Sequence, residues 1–155
     1  MSQLDEIEAI KQLKYRYFRC LDSKRWAELA ECFVPDATSS YDEGKYSFRG
    51  RDQIIGFLEG ALGRPTMITM HHGHHPEIEI TSPTTATGTW YLEDQVIDAK
   101  RNTTLRGAAF YRDEYVKRDG AWRLLSTGYL RTFEEVQDRS ETPSLKLTRT
   151  MFGAG

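Results

Sequence analysis

Thr85–Asp94 reads TATGTWYLED. Ala86, Gly88, Trp90, Leu92 and Asp94 alternate onto one face, and Thr85, Thr87, Thr89, Tyr91 and Glu93 take the other. A period of two held this long predicts a strand with one small, apolar face. Three more runs keep that period: TMITMHH from Thr66, TLRGAAFYRDEYVKRDG from Thr104 and AWRLLSTGYLRTF from Ala121. SPTT and KRDG are the turns between them.

Upstream the period is helical. In SQLDEIEAIKQLKYRYFRCLD, Leu4, Ile7, Ile10, Leu13, Tyr17 and Leu21 fall on one stripe. A second helix is expected at SKRWAELAECF, with Asp22 or Ser23 as N-cap and Trp26, Leu29 and Phe33 inward. VPDATSSYDEGKYSFRG reads as a loop and a short strand around Tyr41 and Phe48. GRDQIIGFLEGAL is a third helix, closed by GRP. Helices first and antiparallel strands after indicate an α+β domain. Three helices on a curved sheet of about four to six strands make a cone with one internal pocket.

The chain has 155 residues, which favours one domain. The tail from 136 to 155 is polar with scattered apolar residues, suited to disorder or to lying across a neighbouring subunit. Lys+Arg 21 against Asp+Glu 23, interspersed, makes no electrostatic case for nucleic acid or an acidic membrane. The acidic start MSQLDEIEAI is no signal peptide, and no segment has the length to span a bilayer. A cytoplasmic protein is the default expectation. Cys20 and Cys32 form no CxxC, so they read as reduced, packed thiols. Aromatics at 12% suit a pocket for an apolar, ring-shaped ligand.

Asp94 ends its apolar row, and a carboxylate there costs free energy unless it is paired. It either reaches water at the strand end or meets a partner. Arg131 repeats the logic, on a face with Leu125 and Tyr129, and could pair with a carboxylate or hold an anionic group. Tyr17 on the helical stripe is core or a functional hydroxyl. Asp22 is a cap or a functional carboxylate.

All four histidines lie in MHHGHHPEIEI, Met70–Ile80. Zinc wants three or four convergent ligands. His71/His74 and His72/His75 are HxxH pairs, whose members face opposite ways on a strand, so no metal site is expected. Strict alternation puts His72 with Ile68 and Met70 and would make it the inner one if a single face were buried. With both faces buried the pattern does not choose. Gly73 marks a bulge or bend.

IEAIKQLKYRYFRCLDSKRWAEL, MHHGHHPEIEI, TTATGTWYLED, GAAFYRDEYVKRDGAW and TGYLRTFEE together resemble the SnoaL-like branch of the nuclear-transport-factor-2-like superfamily. Scytalone dehydratase belongs to that branch, and the likeness is closer to the bacterial bile acid 7-alpha-dehydratases. It runs from about Ile7 to Glu135, with KYRYFRCLD and TATGTWYLED its most specific parts. The resemblance implies catalytic roles for Tyr17 (of KYRYF), Asp22 (of CLD), His71 (of MHxGH), Asp94 (of YLED) and Arg131 (of GYLR). Tyr41, His72, Trp90 and Tyr111 are assigned to a substrate-binding wall. IDAKRNTT, residues 97–104, departs from the dehydratases, as does the lack of the second catalytic histidine of scytalone dehydratase.

The expected activity is removal of water from a hydroxylated polycyclic, steroid-type substrate. Its base is His71 oriented by Asp22, and its acid is Tyr17. No cofactor is needed, because the electrons stay in the substrate as a conjugated alkene. The resemblance also implies a homo-oligomer, with a trimer favoured and a dimer open. Two alternatives remain: another cofactor-free enzyme on the same cone (a ketosteroid-type isomerase, polyketide cyclase or dehydrohalogenase), or a non-catalytic ligand-binding module.

Overall fold

The computed structural model describes residues 2–153. Helix α1 (Gln3–Asp22) starts at a capping box. The Ser2 hydroxyl accepts from the Asp5 amide and the Asp5 carboxylate accepts from the Ser2 amide, which satisfies two otherwise unpaired donors. Ile10, Leu13, Lys14, Tyr17, Phe18 and Leu21 bury its inner stripe. Helix α2 (Trp26–Ala30) is shorter than its sequence pattern predicts. It begins after Arg25 without a side-chain cap, because Asp22 is engaged elsewhere.

Strand β1 (Phe33–Tyr41) and strand β2 (Tyr46–Arg49) form a hairpin where the sequence predicts a loop and one short strand. Helix α3 (Arg51–Leu62) follows, burying Ile54 and Leu58. The four long strands are β3 (Met67–Ser82), β4 (Thr85–Asp98), β5 (Thr103–Arg118) and β6 (Ala121–Asp138). The sheet order is β2-β1-β6-β5-β4-β3, parallel only between β1 and β6.

Register shifts interrupt the pairing at Ala108/Ala109 and Glu114/Tyr115 against β6, and at His74/Glu77 between β3 and β4. Each extra residue bends its strand and increases the twist. The result is a curved, unclosed sheet with the three helices on its concave side, the cone the sequence predicts. The core sits in that concavity: Tyr17 and Phe18 from α1, Phe33 and Tyr41 from β1, Trp90 from β4, Tyr111 and Tyr115 from β5.

After a single turn of 3-10 helix at Arg139–Glu141, residues 142–153 carry no helix or strand. Phe152 still has a place. The Lys24 ammonium lies 4.4 Å from its ring centre and donates to the Leu62 and Met67 carbonyls, both at 2.6 Å. The last two residues of the tail lie outside the described residues.

Candidate active site

β3 lies close against α1. Thr69, His71 and Gly73 face the helix, while Ile68, Met70 and His72 face away. This corrects the single-buried-face expectation that His72 points inward. Apolarity misleads here because the inner face of β3 must be small and polar. A Cβ on Gly73 would stand 2.3 Å from Phe18 Cε2, so a larger residue there would push the helix off the strand.

Asp22, the last residue of α1, takes three hydrogen bonds from β3. The Thr69 hydroxyl donates to Oδ1 at 2.8 Å, the His71 backbone N–H donates to Oδ2 at 2.8 Å, and His71 Nδ1 lies 2.6 Å from Oδ1. An ionised carboxylate can only accept, so Nδ1 carries a proton, and in the neutral imidazole the lone pair is on Nε2. The His71 side chain is 9% exposed. The histidine is thus held at both its backbone and its ring by one carboxylate.

Asp94 is the cross-strand neighbour of His71, on the same face. It is 4% exposed, so the apolar row does not reach water at its end. Both its oxygens meet the guanidinium of Arg131, Nη1 to Oδ1 and Nη2 to Oδ2, the latter at 2.8 Å. Arg131 stands on β6, with β5 between it and Asp94. It passes over Gly107, where a Cβ would fall 2.9 Å from Nη1 and 2.6 Å from the Phe133 carbonyl oxygen. Glu134 Oε2 lies 3.3 Å from Arg131 Nε, and the Tyr129 ring 5.1 Å from its Cζ.

Tyr17 is 1% exposed and packs edge-on to Phe18, Phe33 and Tyr111. Burial first, then the neighbouring Tyr111, holds its phenol well above the ordinary range, so it stays protonated and can donate. Tyr111 in turn meets Tyr129 at 5.7 Å. Ring contacts and hydrogen bonds therefore link Tyr17, Tyr111, Tyr129, Arg131 and Asp94, and strand register sets Asp94 beside the His71–Asp22 pair.

The four residues assigned to the substrate wall divide. Tyr41 lies between Phe57 and Tyr129, and its buried hydroxyl has no hydrogen-bond partner among the described residues. Tyr111 lines the same aromatic cluster. Trp90 is closed into the core, its Nε1–H donating to the Tyr115 hydroxyl at 2.9 Å. His72 stands on the opposite side of the sheet and does not join the set.

The core beside the site holds an ion pair that the sequence reading does not name. Lys14 Nζ lies 2.8 Å from Asp113 Oδ2 with both side chains fully enclosed. Asp113 also accepts from the Tyr115 and Thr127 hydroxyls. The ammonium sits 3.7 Å from the centre of the Tyr111 ring and 4.5 Å from that of Tyr17. Burial pulls the Lys14 pKa down, against the pull of Asp113. The signal was available: Lys14, Tyr17, Phe18 and Leu21 share a helical face, and Asp113 alternates with Tyr111 and Tyr115.

Residues 2–127 match the family model of the SnoaL-like domain. Among solved structures, the chain is similar to a protein of Novosphingobium aromaticivorans provisionally assigned as a scytalone dehydratase, at 29% identity and a TM-score of 0.79, over 85% of this chain and 87% of that one. A hexachlorocyclohexane dehydrochlorinase, LinA-type3 of Novosphingobium barchaimii, is 20% identical with a TM-score of 0.78, over 87% of this chain and 92% of that one. ActVI-ORFA of Streptomyces coelicolor is 18% identical with a TM-score of 0.70, over 83% and 98% respectively.

Proposed function

The chain belongs to the SnoaL-like domain family, and on that premise we propose that it is a cofactor-independent hydro-lyase acting on a hydroxylated polycyclic, steroid-type alcohol. The observation that carries this reading is the Asp22–His71 pair, with Asp94 as the register partner of His71 and ion-paired to Arg131 from β6. His71 Nε2 takes a proton from a carbon acidified by a conjugated carbonyl. Asp22 stabilises the imidazolium that forms. The C–O bond to the hydroxyl breaks, the leaving oxygen receives a proton from Tyr17, and the electron pair stays in the substrate as a new double bond. Arg131 neutralises Asp94 and fixes the orientation of its carboxylate beside the reacting centre.

Tyr17, Tyr41, Tyr111 and Tyr129 form one aromatic cluster, and its half-buried member Tyr129 is where fused apolar rings would stack. The sequence likeness to bile acid 7-alpha-dehydratases points to a 3-oxo-4-ene steroid with a 7-alpha hydroxyl. The relative provisionally assigned as a scytalone dehydratase supports elimination of water. On the outer side of the sheet, Met70, Tyr91, Phe110, Leu130 and Phe133 are exposed. Such a surface supports a homo-oligomer, and the resemblance favours a trimer.

The test is incubation with 7-hydroxylated 3-oxo-4-ene steroids, watching for the absorbance of the conjugated dienone and the loss of one water by mass. His71→Ala and Asp22→Ala should each slow dehydration by about 10²–10⁴-fold while the protein stays folded. Either variant retaining the wild-type rate would overturn the roles. No product from any such steroid would overturn the substrate class.

A further inference from the structure

The two histidines that α1 does not use are not scattered. His72 and His74 are two residues apart on β3, so both project from its outer face. Their ring centres are 5.8 Å apart. Glu93 on β4 is the register partner of His72, and its Oε2 lies 3.6 Å from His74 Nε2. One donor atom from each of His72, His74 and Glu93 falls within 4.8 Å of the other two.

We propose that His72, His74 and Glu93 form a binding site for a divalent transition-metal ion of the zinc type. Zinc holds imidazole nitrogen and carboxylate oxygen at about 2.0–2.2 Å, which sets tetrahedral donors about 3.3 Å apart. The His74–Glu93 edge is already near that separation. The remaining edges, at most 4.8 Å, close by up to about 1.5 Å through side-chain rotations, which the exposure of all three residues on the single chain permits. Two imidazoles and one carboxylate are a donor set for zinc, nickel or copper rather than for calcium or magnesium. Three protein ligands leave a position open to water or a small anion. The i, i+3 histidine pairs do not converge. The convergent pair is instead i, i+2, and its third ligand comes from the neighbouring strand.

The site is independent of the dehydratase reading. It lies on the reverse of the strand pair that carries His71 and Asp94, one register step along, so a bound ion ties β3 to β4 behind them. Ion binding would also stabilise the folded chain by mass action.

The experiment uses chelator-treated full-length protein titrated with zinc sulfate, followed by calorimetry and thermal melting. One ion per chain and a raised Tm are expected. His72→Ala, His74→Ala and Glu93→Ala should each weaken binding by at least about tenfold. His75→Ala, next along β3, should leave it within about twofold by the same ligand count. Circular dichroism checks that each surface variant is folded. No binding heat and no Tm shift with zinc or nickel would overturn the site. So would full affinity in His72→Ala/His74→Ala, or a loss in His75→Ala as large as in His74→Ala.

Discussion

Replacing Arg131 with methionine removes the only cation bonded to Asp94 among the described residues. Asp94 is 4% exposed and Arg131 15%, so the carboxylate left behind is desolvated and unpaired. Stripping one partner from a buried ion pair costs about 3–5 kcal/mol. The partial exposure of Arg131 puts the expected loss at the lower end, about 3 kcal/mol. For a chain of this length that lowers Tm by about 6–12 °C, at about 2–4 °C per kcal/mol. Asp94→Leu combined with Arg131→Met removes both charges and should recover to within about 1 kcal/mol of wild type. Urea unfolding of the two single variants, the double variant and wild type gives the coupling energy, expected near 2–3 kcal/mol by this cycle, or about the upper end of contacting pairs. The double variant should be folded and catalytically dead, which separates support of the fold from chemistry. An Arg131→Met protein within 0.5 kcal/mol of wild type, on the order of an ordinary surface substitution, would refute the reasoning. So would a double variant as unstable as the two singles added together.

Three further outcomes follow from the packing. Gly73→Ala brings a Cβ to 2.3 Å from Phe18 Cε2, well inside carbon contact, and should cost about 1–3 kcal/mol in thermal melts; an unchanged Tm would show that α1 moves off β3 freely. Lys14→Met leaves the enclosed Asp113 charge with only its Tyr115 and Thr127 hydroxyls and should lose about 3–5 kcal/mol in urea unfolding; a loss below about 1 kcal/mol, the range of a surface pair, would contradict it. Glu28 is held down to about 2, first by the Arg19 hydrogen bond and then by Cys20 and Arg25. A lowered folded-state pKa stabilises above the unfolded value of 4.5 and fades as pH falls toward 2. Glu28→Gln should therefore flatten the acid-side fall of stability, and identical pH slopes for variant and wild type would sink that assignment.

Much of this fold was legible because its periods are clean. The α1 stripe and the alternation of β3 to β6 follow directly from where apolar residues recur. The β1–β2 hairpin was blurred because β1 reads FVPDATSSY, with proline and aspartate inside it, residues that strands disfavour. The parallel pairing of β1 with β6 joins segments about ninety residues apart by register, and no local pattern carries that information. At the site, alternation placed Asp94 and Arg131 on apolar faces but did not say that they meet across an intervening strand. It favours His72 over His71 only if a single face of β3 is buried, because His72 shares its face with Ile68 and Met70. What decides between them is a helix carboxylate forty-nine residues away, a tertiary contact outside any window of periodicity. Lys14 shares a helical face with Tyr17 and Phe18, and Asp113 alternates with Tyr111 and Tyr115, yet charged side chains at core positions are easily taken for solvent-facing ones.

Gly107 gives the candidate site a requirement that the chemically active residues do not express. A homologue could keep Tyr17, Asp22, His71, Asp94 and Arg131 and still fail to assemble them, because any side chain at position 107 stands in the path of the guanidinium. Transfer of function by matching five letters would accept such a chain. Matching six, with an unreactive glycine as the sixth, would reject it.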